Sequence, residues 1–261
     1  MQKKIKYGLA ILALSALSLS PAYAQDQSLQ QRVDNKGTIY VGTEGTYAPY
    51  SFHDKSGQLT GYDVEVTRAV AKKMGLSLEF KETQWDAMFA GLNSERFDII
   101  ANQVALTTPE RRAKYSLSVP YSYSGAVVAA RDDSKITSWS EIKGLSSAQS
   151  LTSNYTEMAR KYGANLVTVD GLAQGLQLVR QKRADITIND NLAVLDYLNA
   201  VPNSGLKIIL RNNEKAGSGL VVLKKNESVI PAFNKALKAL QQDGTLARIS
   251  VKFFGEDVSV K

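Results

Sequence analysis

The sequence predicts an α/β protein of two lobes, each a mostly parallel sheet flanked by helices, with two hinge strands crossing between them. Three observations carry that prediction. Strand-like apolar runs alternate with helix-periodic segments in βαβ order, which favours parallel strands covered by helices. The alternation occurs twice, and Leu92-Asn-Ser-Glu-Arg96-Phe-Asp98-Ile99 is echoed 87 positions later by Val179-Arg-Gln-Lys-Arg183-Ala-Asp185-Ile186. Two glycine-bearing apolar segments, 125–130 and 217–223, offer small-residue strands on which the chain can leave the first lobe and return. Two parallel crossings of this kind act as a hinge.

Taken in order, Lys3, Lys4 and Lys6 precede an apolar run over 8–19, followed by Pro21 and the small-residue site Ala22-Tyr23-Ala24. This is the pattern of a signal peptide over 1–24, cleaved after Ala24. The run, about 12 residues, is too short for the roughly 20 that span a bilayer. No Cys stands near the cut to carry a lipid anchor, so the expected product is free in the periplasm. A polar leader over 25–31 gives way to a buried strand over 38–41 and the loop Gly42-Thr43-Glu44-Gly45-Thr46. Val64, Ala69, Val70 and Met74 mark a helix stopped by Gly75, and a strand over 76–80, a helix over 85–92 and a strand over 97–101 follow. The second set has strands over 145–149, 166–169, 185–188 and 206–210, with helices over 154–162, 172–180 and 192–199. Helices over 229–242 and 246–254, parted by Gly244, are expected to pack back on the first lobe. The predicted division is therefore a first lobe of 38–127 with 221–261 and a second lobe of 128–220.

Composition narrows the chemistry. With 44% hydrophobic and 22% charged residues, this is the balance of an ordinary folded soluble protein. The absence of Cys and the single His53 remove the ligands for structural zinc, haem attachment, iron–sulfur clusters and thiol catalysis. Only carboxylate-oxygen metal sites stay open. His53 lies in the polar turn His53-Asp54-Lys55-Ser56-Gly57, reads as a hairpin residue, and has no nucleophile–base–orienter set around it. No Gly-rich phosphate loop is present, and no cofactor or metal is expected. The formal charge of +7 falls to +4 once the three leader lysines are gone. Without a dense Lys/Arg stripe interleaved with aromatics, nucleic acid is not an expected partner.

Two polar pairs end buried strands, Asn102-Gln103 in the first set and Asn189-Asp190 in the second. In open α/β sheets ligands bind at that strand edge, so facing lobes would bring both pairs to one cleft.

Several motifs in order extend this reading. They are Gly42-Thr-Glu-Gly-Thr-Tyr-Ala-Pro-Tyr-Ser-Phe52, Leu59-Thr-Gly-Tyr-Asp-Val-Glu65, Trp85-Asp86, Asn102-Gln103 with Thr108-Pro109-Glu110-Arg111, and Tyr115 to Gly125. Ser153-Asn154-Tyr155, Arg183-Ala-Asp185 through Asp190, and Asp243-Gly244-Thr245 leading to Phe254-Gly255 complete the series. Together they resemble the periplasmic polar-amino-acid-binding proteins of ABC importers, family 3 of the bacterial solute-binding proteins. The Glu-Gly-Thr-Tyr loop, the Trp-Asp pair and the Asn-Gln pair look most like the cystine-binding branch. The resemblance implies the two-lobe periplasmic-binding-protein (Venus flytrap) fold, capture of a small-molecule amino acid, delivery to the membrane permease of an ABC importer, no enzymatic activity and a monomeric state. Three departures stand out: the approach to Arg111 from Ala105 to Thr108 is one residue longer than usual, Thr152 replaces a customary Gly, and Leu145-Ser-Ser replaces the usual Lys-Lys-Val strand start.

A free amino acid presents a carboxylate and an ammonium on one carbon. By resemblance Arg111 takes the carboxylate, helped by Asn154 and the backbone near Ser153. Pro109 suits a first helical turn and places Arg111 where helix N–H groups also favour an anion; on sequence alone it reads as an ordinary surface Arg beside Arg112, and the motif turns the reading to the ligand role. Asp190 is the expected ammonium partner; its alternative is to cap the helix over 192–199, a task Asn189 or Asn191 would otherwise perform. Glu44 is a second ammonium contact or a solvated loop acid. Trp85, Tyr47 and Phe52 are expected as apolar walls, with Gln103 and Thr108 among the ligand contacts. Two other classes compete. A cyclohexadienyl dehydratase-like enzyme on the same fold would need an acid or base in the cleft, with Glu44 the candidate. A binding module feeding a sensor would use the same site.

Overall fold

The computed structural model describes residues 27–261, so the expected signal peptide lies outside the described residues. Part of the segment expected as a polar leader is a short helix, α1 (Leu29–Asp34). A capping box makes it: Ser28 Oγ accepts from Gln31 N–H, and the Gln31 side chain accepts from Ser28 N–H. Its Leu29 and Val33 enter the core of the first lobe.

β1 (Thr38–Thr43) is followed by a small antiparallel sheet of β2 (Thr46–Tyr47), β3 (Ser51–His53) and β4 (Leu59–Thr60), whose β3–β4 hairpin carries His53. α2 (Tyr62–Met74) stops at Gly75, where φ is 74°, as the sequence predicts. β5 (Ser77–Glu82), α3 (Trp85–Asn93) and β6 (Ile99–Ile100) follow. β6 is shorter than expected as a ladder, but Asp98 N–H to Tyr40 O (2.8 Å) and Ala101 N–H to Gly42 O (3.0 Å) extend its pairing with β1. Gly42 is required where it stands: a Cβ there would lie 2.4 Å from the Phe97 ring, and Gly91 of α3 flanks the same ring at 2.6 Å. α4 (Pro109–Lys114) and β7 (Tyr115–Leu117) lead into the long strand β8 (Ser122–Arg131).

The second lobe runs β9 (Ser146–Gln149), α5 (Asn154–Lys161), β10 (Asn165–Thr168), α6 (Leu172–Arg180), β11 (Ile186–Asp190) and α7 (Asn191–Ala200). β12 (Leu206–Ser218) then returns the chain to β13 (Val221–Leu223), α8 (Ile230–Gln242) and α9 (Thr245–Phe254). One sheet has the order β5-β1-β6-β13-β7 and the other β10-β9-β11-β8-β12. In each, three strands pair in parallel; β13 then lies antiparallel between β6 and β7, and β8 antiparallel between β11 and β12.

The crossings differ from the expected parallel pair. β8 and β12 lie side by side but antiparallel, from Leu206↔Arg131 to Ser218↔Ser122, because the chain leaves on one and returns on the other. The ladder shifts register between Ile208 and Leu210 and again between Arg211 and Lys215. The main core joins β1, α2, α8 and α9 around Tyr50, Tyr62 and Tyr121, and Leu192 and Ala193 of α7 pack into it from the other lobe. Among the described residues no helix is long and apolar enough to cross a membrane.

Candidate ligand-binding site

The C-terminal ends of β1 and β6 face those of β9, β10 and β11 across a cleft. A pocket there is walled on one side by Glu44, Tyr47, Trp85, Asn102 and Gln103. Ser150, Ser153, Asn154, Tyr155, Gly171, Leu172 and Asn189 wall the other side, and the atom-free space between them, mouth included, is about 380 Å³. Both polar pairs read from the sequence are thus brought together, with Asp190 directly behind the wall.

On the first-lobe side, the Thr43 hydroxyl donates to Ala101 O (2.9 Å) and ties the ends of β1 and β6. Asn102 then grips Glu44 twice, accepting from its N–H (2.9 Å) and donating from Nδ2 to its carboxylate (2.5 Å). Burial pushes the Glu44 carboxyl up to about 7; the Asn102 bond opposes this and the nearby Asp86 charge adds to it. Gln103 adopts φ 51°, its N–H donating to the buried Asp63, and its Nε2 reaches Ser124 Oγ (2.8 Å) and Asp190 Oδ2 (3.1 Å). Trp85 opens α3, lines the pocket, and keeps a buried Nε1–H with no partner among the described residues.

On the second-lobe side, Ser153 caps α5 by accepting from Tyr155 N–H (3.2 Å), and Asn154 is the first helical residue. The positive end of α5 therefore opens into the pocket. Tyr47 bridges the lobes through its hydroxyl to Asn189 Oδ1 (2.7 Å).

Asp190 is fully buried and is itself the cap of α7. Its Oδ1 accepts from Leu192 N–H (2.9 Å), Ala193 N–H (3.3 Å) and the Tyr50 hydroxyl (2.8 Å), and its Oδ2 from Ser124 Oγ and Gln103. The expectation that Asn189 or Asn191 caps in its place is corrected. Asn189 Oδ1 is taken by Tyr47, and Asn191 Oδ1 accepts from Arg211. Burial raises the Asp190 carboxyl, and the hydrogen bonds from Ser124, Tyr50, Ala193 and Leu192 oppose the rise.

Arg111 lies beside the pocket rather than on its surface. Its guanidinium sits over the rings of Phe89 (4.8 Å) and Trp85 (5.7 Å) and donates to Ala105 O (3.2 Å) and, across the cleft, Thr152 O (2.8 Å). Burial lowers its pKa from the ordinary value. Thr108 caps α4 by accepting from Arg111 N–H (3.2 Å) and borders an adjoining hinge-side groove with Ala126 and Asn212, which shares Gln103, Asn154 and Tyr155 with the pocket; Thr108 itself does not line the pocket. Phe52 also lies outside it: Ser51 takes the buried side of β3, so by strand alternation Phe52 turns away and packs edge-on against Phe253.

Tyr50, Ser124, Ser150, Tyr155, Gly171 and Leu172 were not among the expected contacts. The strand-edge rule, extended to the loop after β10, could have found Gly171 and Leu172. Tyr50 and Ser124 reach Asp190 from distant chain segments, and no local signal marks them.

Two hinged lobes enclosing a small polar pocket at their facing sheet edges define a protein that traps a solute between them. The chain belongs to the bacterial extracellular solute-binding proteins, family 3, which it matches over residues 39–256. It is 51% identical over 258 residues to a probable amino-acid ABC transporter-binding protein of Haemophilus influenzae, covering 98% of this chain and 99% of that one. The L-cystine-binding protein TcyA of Bacillus subtilis is 50% identical, with 90% and 88% covered. Among solved structures, the L-cystine solute receptor of Neisseria gonorrhoeae in its unliganded open conformation is 59% identical, covering 90% of this chain and all of its own, with a TM-score of 0.62. An ancestral arginine-binding protein bound to arginine is only 31% identical, covering 84% and 99%, yet reaches 0.78. Hydrogen bonds between the lobes agree with the better fit to a liganded form. The relatives are named as binding proteins of transporters, and this chain is a solute-binding protein, not an enzyme.

Proposed function

We propose that the protein captures a polar amino acid, cystine or a close derivative, by closing its lobes and delivers it to the membrane permease of an ABC importer. It acts in the periplasm as a monomer, released there by cleavage of 1–24 with no lipid anchor. The first lobe is taken as 38–127 with 221–261, with α1 packed onto it, and the second as 128–220. The names of its close relatives support the ligand class, and one observation carries the site: polar groups from both lobes converge with aromatic walls on a single pocket.

In this reading Arg111 and the N-terminus of α5 at Ser153 and Asn154 take the α-carboxylate. Asp190 takes the ammonium, displacing the Gln103 amide that now donates to it, and Glu44 offers a second acid for a distal ammonium. Trp85 and Tyr47 cover the side chain. A charged zwitterion stabilises the closed state only through contacts the open state lacks. Micromolar affinity corresponds to about 8 kcal/mol, within reach of two satisfied charges and a stacked side chain.

The test is a thermal-shift screen of ligand-stripped protein against the amino acids, L-cystine and their derivatives. A ligand at 100 times its Kd stabilises by about 2.7 kcal/mol, a shift of a few degrees. A selective shift with L-cystine or one zwitterion supports the reading, and no shift across the panel overturns it.

A further inference from the structure

The second residue of α3, Asp86, reaches across the cleft. One carboxylate oxygen accepts from Leu151 N–H (3.0 Å), the other from Thr152 N–H (2.8 Å) and the Thr152 hydroxyl (2.9 Å). From the same lobe Arg111 donates to Thr152 O (2.8 Å). The backbone of Thr152 is thus held on its N–H side by an acid and on its carbonyl side by a base, both from the opposite lobe. Residues 151–152 form the turn immediately before Ser153, so Asp86 faces the positive end of α5 as well as lying in the first turn of its own helix. Asp86, Leu151 and Thr152 do not line the pocket.

We infer that Asp86 is a positioning residue, a clasp that holds the closed state by gripping second-lobe backbone and so sets how long a solute stays enclosed. Its partners exist only when the lobes meet, so the clasp favours the closed population whichever side chain the solute carries. Charged acceptors for peptide N–H groups are among the stronger hydrogen bonds, and three converge here. Arg111, with five donors, holds Thr152 and still has N–H groups for a carboxylate. The inference rests on the capture reading above but is testable without a ligand.

The chain has no Cys, so spin labels at Lys55→Cys and Ala173→Cys, exposed positions on opposite lobes, report the distance between them. Distance distributions and stopped-flow tryptophan fluorescence with L-cystine compare the wild-type protein with Asp86→Ala. Asp86→Ala is expected to shift the ligand-free distribution to longer distances and speed L-cystine release about tenfold or more, with association within about twofold. Thr152→Val, which loses one donor of three, should move the same way by less. Asp86→Asn, of the same shape but uncharged, replaces the alanine variant if that one does not fold. Identical ligand-free distributions with an unchanged release rate overturn the clasp. If L-cystine binds neither protein, its capture fails as a reading, while the ligand-free distances alone decide the clasp: longer in Asp86→Ala supports it, and unchanged overturns it.

Discussion

Replacing Glu44 with Gln isolates the cost of an empty acid in the pocket. The folded protein keeps the Glu44 proton up to about pH 7, whereas a free Glu releases it near 4.5. The folded state therefore binds more protons in that window, and this group's contribution to stability is fully present below pH 4.5 and lost as pH rises towards about 7. The loss is no more than about 3 kcal/mol, trimmed by the solvent that reaches the half-buried side chain through the pocket mouth. Burial also pushes Asp63 up to about 7 and raises Asp98, Asp190 and Asp196, so the wild-type slope alone does not isolate Glu44. The difference between wild type and Glu44→Gln does, since Gln keeps an acceptor for Asn102. Urea denaturation at pH 4.5, 5.5, 6.5 and 7.5 is the assay. The variant should gain on the wild-type protein as pH rises. An ammonium placed beside Glu44 would restore its charge, so calorimetry near pH 6 in buffers of different ionisation enthalpy should register release of up to about one proton on binding. Parallel stability curves and no proton release refute the placement of an uncharged Glu44 against the ligand.

Three further substitutions probe the site and its support. Arg111→Ala should weaken ligand affinity tenfold or more, from loss of about 1.5–3 kcal/mol of charge-assisted contact, and unchanged affinity by titration calorimetry sinks its carboxylate role. Asp190→Ala strands the Tyr50 and Ser124 hydroxyls, the Gln103 amide and two N–H groups of α7, and should cost about 3 kcal/mol or more in urea denaturation. Asp190→Asn should lose less stability while still losing binding, and equal stability of the alanine and wild-type proteins contradicts the network. Gly42→Ala drives a methyl into Phe97 and should destabilise by about 1–3 kcal/mol, with partial recovery in Gly42→Ala combined with Phe97→Leu.

Elements with local signals were legible. α6 occupies the expected 172–180, and Gly75 ends α2 where a left-handed residue is needed. Six residues are too few to display helical period, so α1 is visible only through the Ser28 and Gln31 capping box. The strand-edge rule located Asn102, Gln103 and Asn189, because it depends on topology, which the alternation of elements reveals. Which of Asn189, Asp190 and Asn191 caps α7 depends on where β11 ends, and no periodicity specifies that to one residue. Arg111 depends on the path of the loop before α4, and Phe52 on the facing of a three-residue strand. The side-chain partners of Asp190 come from chain segments 66 to 140 positions away, beyond any sequence window.

The position of β13 between β6 and β7 also governs the order in which the molecule can be finished. Val221 pairs with Ile100, and the chain between them, roughly 120 residues, contains the whole second lobe. The lobe that begins first is therefore completed last. During synthesis from the N-terminus, β1, β5 and β6 emerge with an open sheet edge, and α2 waits for α8 and α9 to cover it. The second lobe's sheet, contained within one continuous stretch, has all its strands before that closure takes place. Amide protection during refolding should accordingly appear in β9–β11 before it appears in β6 and β13.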